Sequence, residues 1–413
     1  MPPETDHRKG RRSPRDPPPS VSSVSVEGEE HHHRVIGRRR RALEPEVDTG
    51  TPDEEGLPGD RPRRVLRRMI HGVLSYGVLI LVLYFLLSRL TTTNWQNVLS
   101  QISWIEIVII LALGLANIVT NLPPQVLTLP GLKMRESFVT NTASSALSNT
   151  VPEGGAVATG LNFAMLRSWG FDLPSITSSY LTTGIWTNLV RYGLAAGALV
   201  IMVVRGEGGA SLLWLAVVLV VGVVVAIGVL AAVLASDKFA RGLGRVLGKV
   251  VNPVFRILHR APVTDMPGEV SGFRTKLVDL VKAQWHGLTI AMVVSQLTTC
   301  LVLGVAVRMQ GFGEDQISWA RIIFAVSAMA TASIIAPTPG GLGVAEATLL
   351  WVLGAGLSDD FNPDLIIAIG LFRFATWFEP VPVGAGSYLF WRENHSWRRP
   401  VAADSPPAAT APA

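Results

Sequence analysis

A few residues in the apolar runs of this 413-residue chain have types and spacing suited to holding an anion. Arg191 and Arg373 each stand inside such a run, where a charge is kept only facing protein or a watery cavity, usually with a partner. A guanidinium offers planar, paired donors that fit phosphate oxygens. Each arginine follows a break that no helix interior accepts: Asn149-Thr-Val-Pro-Glu-Gly154-Gly155 in the first half, and Pro337-Thr-Pro339-Gly340-Gly341-Leu-Gly343-Val-Ala-Glu346 in the second. Proline removes a donor and clashes with the preceding turn, and glycine removes the side chain that fixes the backbone. The half-helices after the breaks, Ala156 onward and Leu342 onward, present free amides and a positive dipole end to a phosphate. Gly154, Gly155, Pro339, Gly340 and Gly341 are therefore candidates for close backbone approach to a headgroup, and Arg191 and Arg373 for its oxygens. Glu346 either joins that site or pairs with Arg373 to hold the break against the last apolar run. Arg191, beside Trp186 and Tyr192, has an alternative as an internal anchor. Asn149, Thr150, Thr187 and Asn188 line a polar path or glue helices together. Glu379, before Pro380, bonds freed backbone groups or relays protons.

The elements that position these residues must be membrane helices. The chain is 48% hydrophobic and 16% charged, with mean hydropathy +0.37, a balance that excludes an ordinary soluble enzyme and indicates an all-α integral membrane protein. Unpaired backbone in hydrocarbon costs several kcal/mol per group, so a break at membrane depth implies surrounding protein or a cavity. The net charge of +5 comes from basic residues outside the apolar runs, which suits an anionic inner leaflet and not nucleic acid. Cys300 is the single cysteine, so there is no thiolate metal site. His31 to His33 lack a carboxylate or cysteine at ligand spacing. His71 and His286 flank apolar runs singly, and neither a catalytic constellation nor a cofactor motif is expected.

Topology follows from charge. Residues 1–69 read as a disordered, basic and Pro-rich tail, and 393–413 as a second one. Between them, 70–392 form a membrane domain with six full spans near 71–90, 105–122, 175–204, 210–234, 285–307 and 363–391. Arg61, Arg63, Arg64, Arg67 and Arg68 before the first span put both termini in the cytoplasm of a cell-membrane protein. Span two is expected to stop at Pro123-Pro124. Segments 137–169 and 318–356 have limbs too short to cross, against the about 20 residues that a span needs, and read as re-entrant broken-helix hairpins opening to opposite faces. With repeat one at about 105–204 and repeat two at about 285–391, this is an inverted repeat, which points to a transporter's site at the midplane. The loop 236–283 carries Arg241, Arg245 and Lys249 opposite Phe239, Leu243, Val246, Leu247 and Val250, as in an amphipathic helix lying on anionic lipid. Homo-oligomerisation stays open.

The second break, with Leu371-Phe-Arg373-Phe and Phe378-Glu-Pro380 downstream, resembles the membrane region of lysylphosphatidylglycerol synthase, the multiple peptide resistance factor, over roughly Val65 to Trp391. In the first half, the family's proline, small residues and Gly-Glu become Pro152-Glu153-Gly154-Gly155. The parts outside the membrane leave no room for a transferase domain, so the resemblance implies only the translocation half. It implies a lipid translocase whose cargo is a phospholipid, aminoacylated or glycosylated, or a polyprenyl phosphate. A headgroup held between the breaks by hairpins of opposite access would cross while its acyl chains stay in the bilayer. On this reading Arg373→Ala abolishes translocation and leaves the protein folded. A non-transporting scaffold acting through the basic tail and loop is the alternative, and it leaves the paired breaks unexplained.

Overall fold

Ser103 and Glu106 open helix α1 (Trp104–Thr120). The Glu106 carboxylate accepts from Ser103 N at 2.9 Å and the Ser103 hydroxyl from Ile105 N at 3.3 Å, which satisfies donors that have no intrahelical partner. The computed structural model describes residues 103–151, 154–257, 265–336, 338–357 and 362–399. The predicted first span, the tail 1–69, the C-terminal tail beyond 399, and Pro152, Glu153 and Pro337 lie outside these residues.

α1 ends at Thr120, just before the predicted stop at Pro123-Pro124, and the chain turns at Asn121. The two prolines then take the opening positions of α2 (Pro123–Thr128), where no amide donor is needed. Together α1 and α2 make an apolar run of 25 residues, Trp104–Thr128. The other runs long and apolar enough to cross a bilayer are Leu173–Val204 (α5), Ala210–Ala235 (α6), Lys282–Met309 within α8 (Met266–Met309), and Pro363–Glu393. These five correspond to five of the six predicted spans. Val218, Val221 and Val224 of α6 are exposed to the surroundings, as suits a helix whose solvent is lipid.

Each of the two segments expected to be hairpins is a pair of packed helices. The first is α3 (Met134–Thr150) and α4 (Gly154–Ser168). The second is α9 (Trp319–Ile335) and α10 (Val344–Gly354), joined through a tight 3₁₀ turn at Pro339–Gly341. No limb exceeds 17 residues.

The predicted basic loop 236–283 is mostly helix. Asp237–Ile257 forms α7, which folds back on the first half of α8. That helix continues unbroken for 44 residues, about 66 Å at 1.5 Å per residue and well beyond a bilayer's hydrocarbon. A Cβ on Gly244 would stand 2.8 Å from Pro267 Cα, so the two helices touch backbone to backbone. Asp237 fixes the corner by accepting from the Ser271 hydroxyl at 2.5 Å and from Arg241. Arg274 donates to the last carbonyls of α6, Val233 O and Leu234 O, at 2.9 Å each, a cationic C-cap. Phe239, Val246 and Leu247 stay exposed, so α7 keeps an apolar face although α8 covers part of it.

The last span also departs from a plain helix. It divides into α11 (Pro363–Arg373), a π-helical segment Phe374–Phe378, and α12 (Pro380–Glu393). Pro380 has no amide, and its ring crowds the carbonyl four residues back, so the preceding turn widens. Glu379 N accordingly donates to Phe374 O, five residues back, at 2.9 Å. The main core gathers Leu303, Val307, Ile322, Leu349, Leu353 and Phe372, which packs α8, α9, α10 and α11 around the second hairpin. α12 lies so close on α3 that a Cβ on Gly384 would overlap Thr142 O, and the Thr142 and Ser387 hydroxyls bond at 2.8 Å. Small residues and hydroxyls are how membrane helices approach closely.

Candidate functional site

The second hairpin's tip is made by its glycines. Gly340, Gly341 and Gly343 have φ of 55°, 71° and 85°, a region closed to most side chains. A Cβ would also collide at two of them: with Trp377 Nε1 at Gly340, and with the Ser333 hydroxyl, 2.6 Å away, at Gly341. The tip is tied internally by the Thr338 hydroxyl donating to Leu342 O at 2.8 Å and by Gly341 N donating to Thr338 O at 3.1 Å.

Glu346 and Arg373 belong to this scaffold. The Glu346 carboxylate accepts from Gly343 N at 2.5 Å and so caps the start of α10. Its other oxygen lies 2.5 Å from Arg373 Nε, with both side chains 13–14% exposed. The Nε–H is not aligned along this contact, which is therefore Coulombic. Arg373 Nη2 donates to Gly340 O at 3.0 Å. The α10 N-terminus, expected to be free for a phosphate, already holds its own carboxylate.

In the first hairpin α3 ends at Val151, in extended geometry, and α4 starts at Gly154. A Cβ on Gly154 would meet Ser148 O at 2.5 Å and Ser148 Cα at 2.8 Å, whereas one on Gly155 meets nothing within 4 Å. We therefore expect Gly154→Ala to lower stability by about 1–3 kcal/mol, because rigid backbone must shift. Gly155→Ala should leave stability unchanged or slightly raised. Thermal unfolding of the detergent-solubilised variants checks the contrast, and equal melting temperatures would count against this packing.

The two tips meet. Asn149 Nδ2 donates to Trp377 O at 2.9 Å, and Asn149 Oδ1 stands 3.0 Å from the Cβ position of Gly340. Between the tips lies a cavity of about 610 Å³ lined by Gly154, Gly155, Arg191, Gly340 and Gly341, with Asn149, Ser333 and Thr338 supplying polar walls. Pro339, Glu346 and Arg373 do not line it and stand behind the second tip. Arg191, from the middle of α5, has a buried Nε with no hydrogen-bond partner, and it pairs with no carboxylate among the described residues. Its carbonyl accepts from the Ser327 hydroxyl at 3.4 Å, which ties α5 to the second hairpin.

A second cavity, of about 530 Å³, lies at the base of that hairpin between Leu212, Phe324, Trp351 and Val352. Its charges, Arg321 and Glu207, face each other at 3.6 Å. Of the two, the tip cavity is the one that keeps a guanidinium donor without a partner among the described residues.

A family model described as the lysylphosphatidylglycerol synthase TM region matches residues 72–384. The chain belongs to this family. The lysylphosphatidylglycerol synthase match takes in both tips, Arg191, Arg373 and the cavity between the hairpins. With the five apolar runs it makes the chain a multi-pass membrane protein, and it points to a role connected with membrane lipids. No curated protein and no solved structure matches the chain significantly. Sequence reasoning missed Ser333 and Trp377 as tip residues. The available signals were a serine one turn before Pro337 and an indole one turn after Arg373.

Proposed function

We propose that this protein is a lipid translocase that carries a phosphate-bearing headgroup between leaflets through the cavity at the hairpin tips. The observation that carries the reading is the convergence of both breaks on one cavity containing an arginine that pairs with no carboxylate among the described residues. The first-turn amides of α4 open on the same cavity beside Gly154 and Gly155, and they add to Arg191 a second source of positive potential. The headgroup then sits on Arg191 and the α4 N-terminus, while the Glu346–Arg373 pair keeps the second tip in shape. This is an asymmetric site within the predicted inverted repeat.

Packing supports the re-entrant, inverted arrangement. The first limb of hairpin one, α3, lies on the last span of the second half, α12. The first limb of hairpin two, α9, lies on α5 of the first half, and the equivalent spans α1 and α8 pack on each other. Such a reciprocal exchange is what a pseudo-two-fold relation between the two halves produces, as an inverted repeat has. Lys249, Arg245 and Arg241 of α7 meet the anionic inner leaflet.

The test is reconstitution of the full chain in phosphatidylcholine vesicles that carry a trace of acyl-labelled fluorescent phosphatidylglycerol, with a membrane-impermeant reductant outside. Label in the inner leaflet should become accessible when protein is present and stay protected in protein-free vesicles. A labelled glycolipid without phosphate should move more slowly. Equal protection with and without the protein would overturn the reading.

A further inference from the structure

The π-helical segment in the last span holds both tips at once. Arg373, at its start, donates to Gly340 O at 3.0 Å. Trp377 O accepts from Asn149 at 2.9 Å, and the Trp377 indole packs where a Cβ on Gly340 would be. Two residues on, Glu379 is 7% exposed, and its Oε2 is buried without a hydrogen-bond partner. The carboxyl lies directly against Gly114 of α1, where any Cβ would overlap it, so the glycine makes the room that the carboxyl occupies. Neither the site described above nor the ion pair behind it uses this group.

Among the described residues no opposite charge pairs with it. On the packed elements, Glu106 stands in the first turn of α1 and is engaged with Ser103 N. Asp364 stands at the start of α11, and Arg373 is held by Glu346 and Gly340. On α12, Tyr388, Arg392 and Glu393 lie two or more turns onward, and Arg135 and Glu136 are at the first turn of α3. The spanning part of α8 carries Lys282 at its exposed start, His286, Cys300 and Arg308, of which Arg308 is bound to Glu314 and the carbonyls of Phe312, Gly313 and Ile317. Among the described residues no cluster of three or more His, Cys, Asp or Glu could hold a metal ion, and a buried carboxyl without a charged partner is neutralised most simply by a proton.

We propose that Glu379 is a proton-binding site that couples lipid movement to a proton gradient. The proposal rests on the translocase reading. A buried, unpaired carboxylate is strongly disfavoured, while the neutral acid is tolerated. With the tips clasped by Arg373 and Trp377, the carboxyl against Gly114 carries a proton. Losing it to water requires the segment to move, which releases Gly340 O and Asn149 together. One proton is taken from the aqueous phase on one side and delivered to the other in each cycle.

Full-length protein in phosphatidylcholine vesicles with labelled phosphatidylglycerol tests this. Translocation is measured with and without an imposed difference of about one pH unit, a roughly tenfold change in proton activity. In the wild type the gradient should change the rate several-fold, in opposite senses for opposite gradients. In Glu379→Gln the ratio of rates with and without the gradient should fall to one, whatever rate remains. A gradient response that persists in the variant, or that is absent in a translocating wild type, overturns the proton site. A wild type that moves no lipid overturns the translocase reading instead. Should the variant fail to fold, a pH dye trapped in wild-type vesicles decides. Proton movement that accompanies labelled-lipid movement supports the proposal, and lipid movement without it refutes it.

Discussion

Arg373→Ala should lower the stability of the solubilised protein by about 3–5 kcal/mol, the usual cost of removing one member of a buried ion pair. The sequence alone suggested a different outcome, loss of transport in a folded protein, because an arginine after a Pro-Gly break reads as a ligand. Its contacts change the expectation. Glu346, 14% exposed, would lose the guanidinium 2.5 Å away, and Gly340 O would lose its donor in a turn whose φ already excludes most residues. The double variant Arg373→Ala with Glu346→Gln should recover part of the loss, since the carboxylate left without a partner is removed as well. The residual deficit then measures the Gly340 contact and the cap on Gly343 N. Melting of the two single variants and the double variant, followed by tryptophan fluorescence, supplies the comparison. An unchanged melting temperature in Arg373→Ala would show that the pair does not hold the tip.

What could be read before the fold was known is what composition and local chemistry control. Apolar run length located α5, α6 and the spanning parts of α1 and α8 to within a few residues, because the bilayer sets that length whatever the neighbours are. Both breaks were legible for the same reason: no packing rescues Pro339-Gly340-Gly341 as helix interior. Proline elsewhere was ambiguous. At Pro123-Pro124 one helix ends, as expected, and the prolines open the next, while at Pro380 proline widens a turn into a π segment without ending the span. The rule about a missing amide is the same in all three places, and only the neighbours decide which outcome follows. In the loop 236–283 the amphipathic helix was legible from its residue pattern, and it forms as α7; what the pattern did not show is that Gly244 lets α7 dock on α8. In the site, residue type identified anion-binding candidates but not their partners. Glu346 and Arg373 satisfy each other, and Arg191 is left over, a distinction that depends on distances no spacing encodes.

Because Arg191 is left over, its replacement should act on function and not on stability. Arg191→Ala is expected to slow translocation of labelled phosphatidylglycerol by roughly 10- to 100-fold, the equivalent of about 1.5–3 kcal/mol for a charge-assisted hydrogen bond to an ionised oxygen. Melting should stay near that of the wild type, since no carboxylate among the described residues pairs with Arg191 and its buried Nε has no acceptor to lose. Arg191→Lys keeps the charge and loses the planar fork, so an intermediate rate is expected. The labelled glycolipid without phosphate should barely respond to either change, because its headgroup offers no anion to the guanidinium. The alternative is that Arg191 anchors α5 beside the second hairpin, where its carbonyl already accepts from Ser327 at 3.4 Å. In that case both substitutions would lower melting and slow all labelled lipids alike, and the cavity at the tips would lose its claim to be the headgroup site.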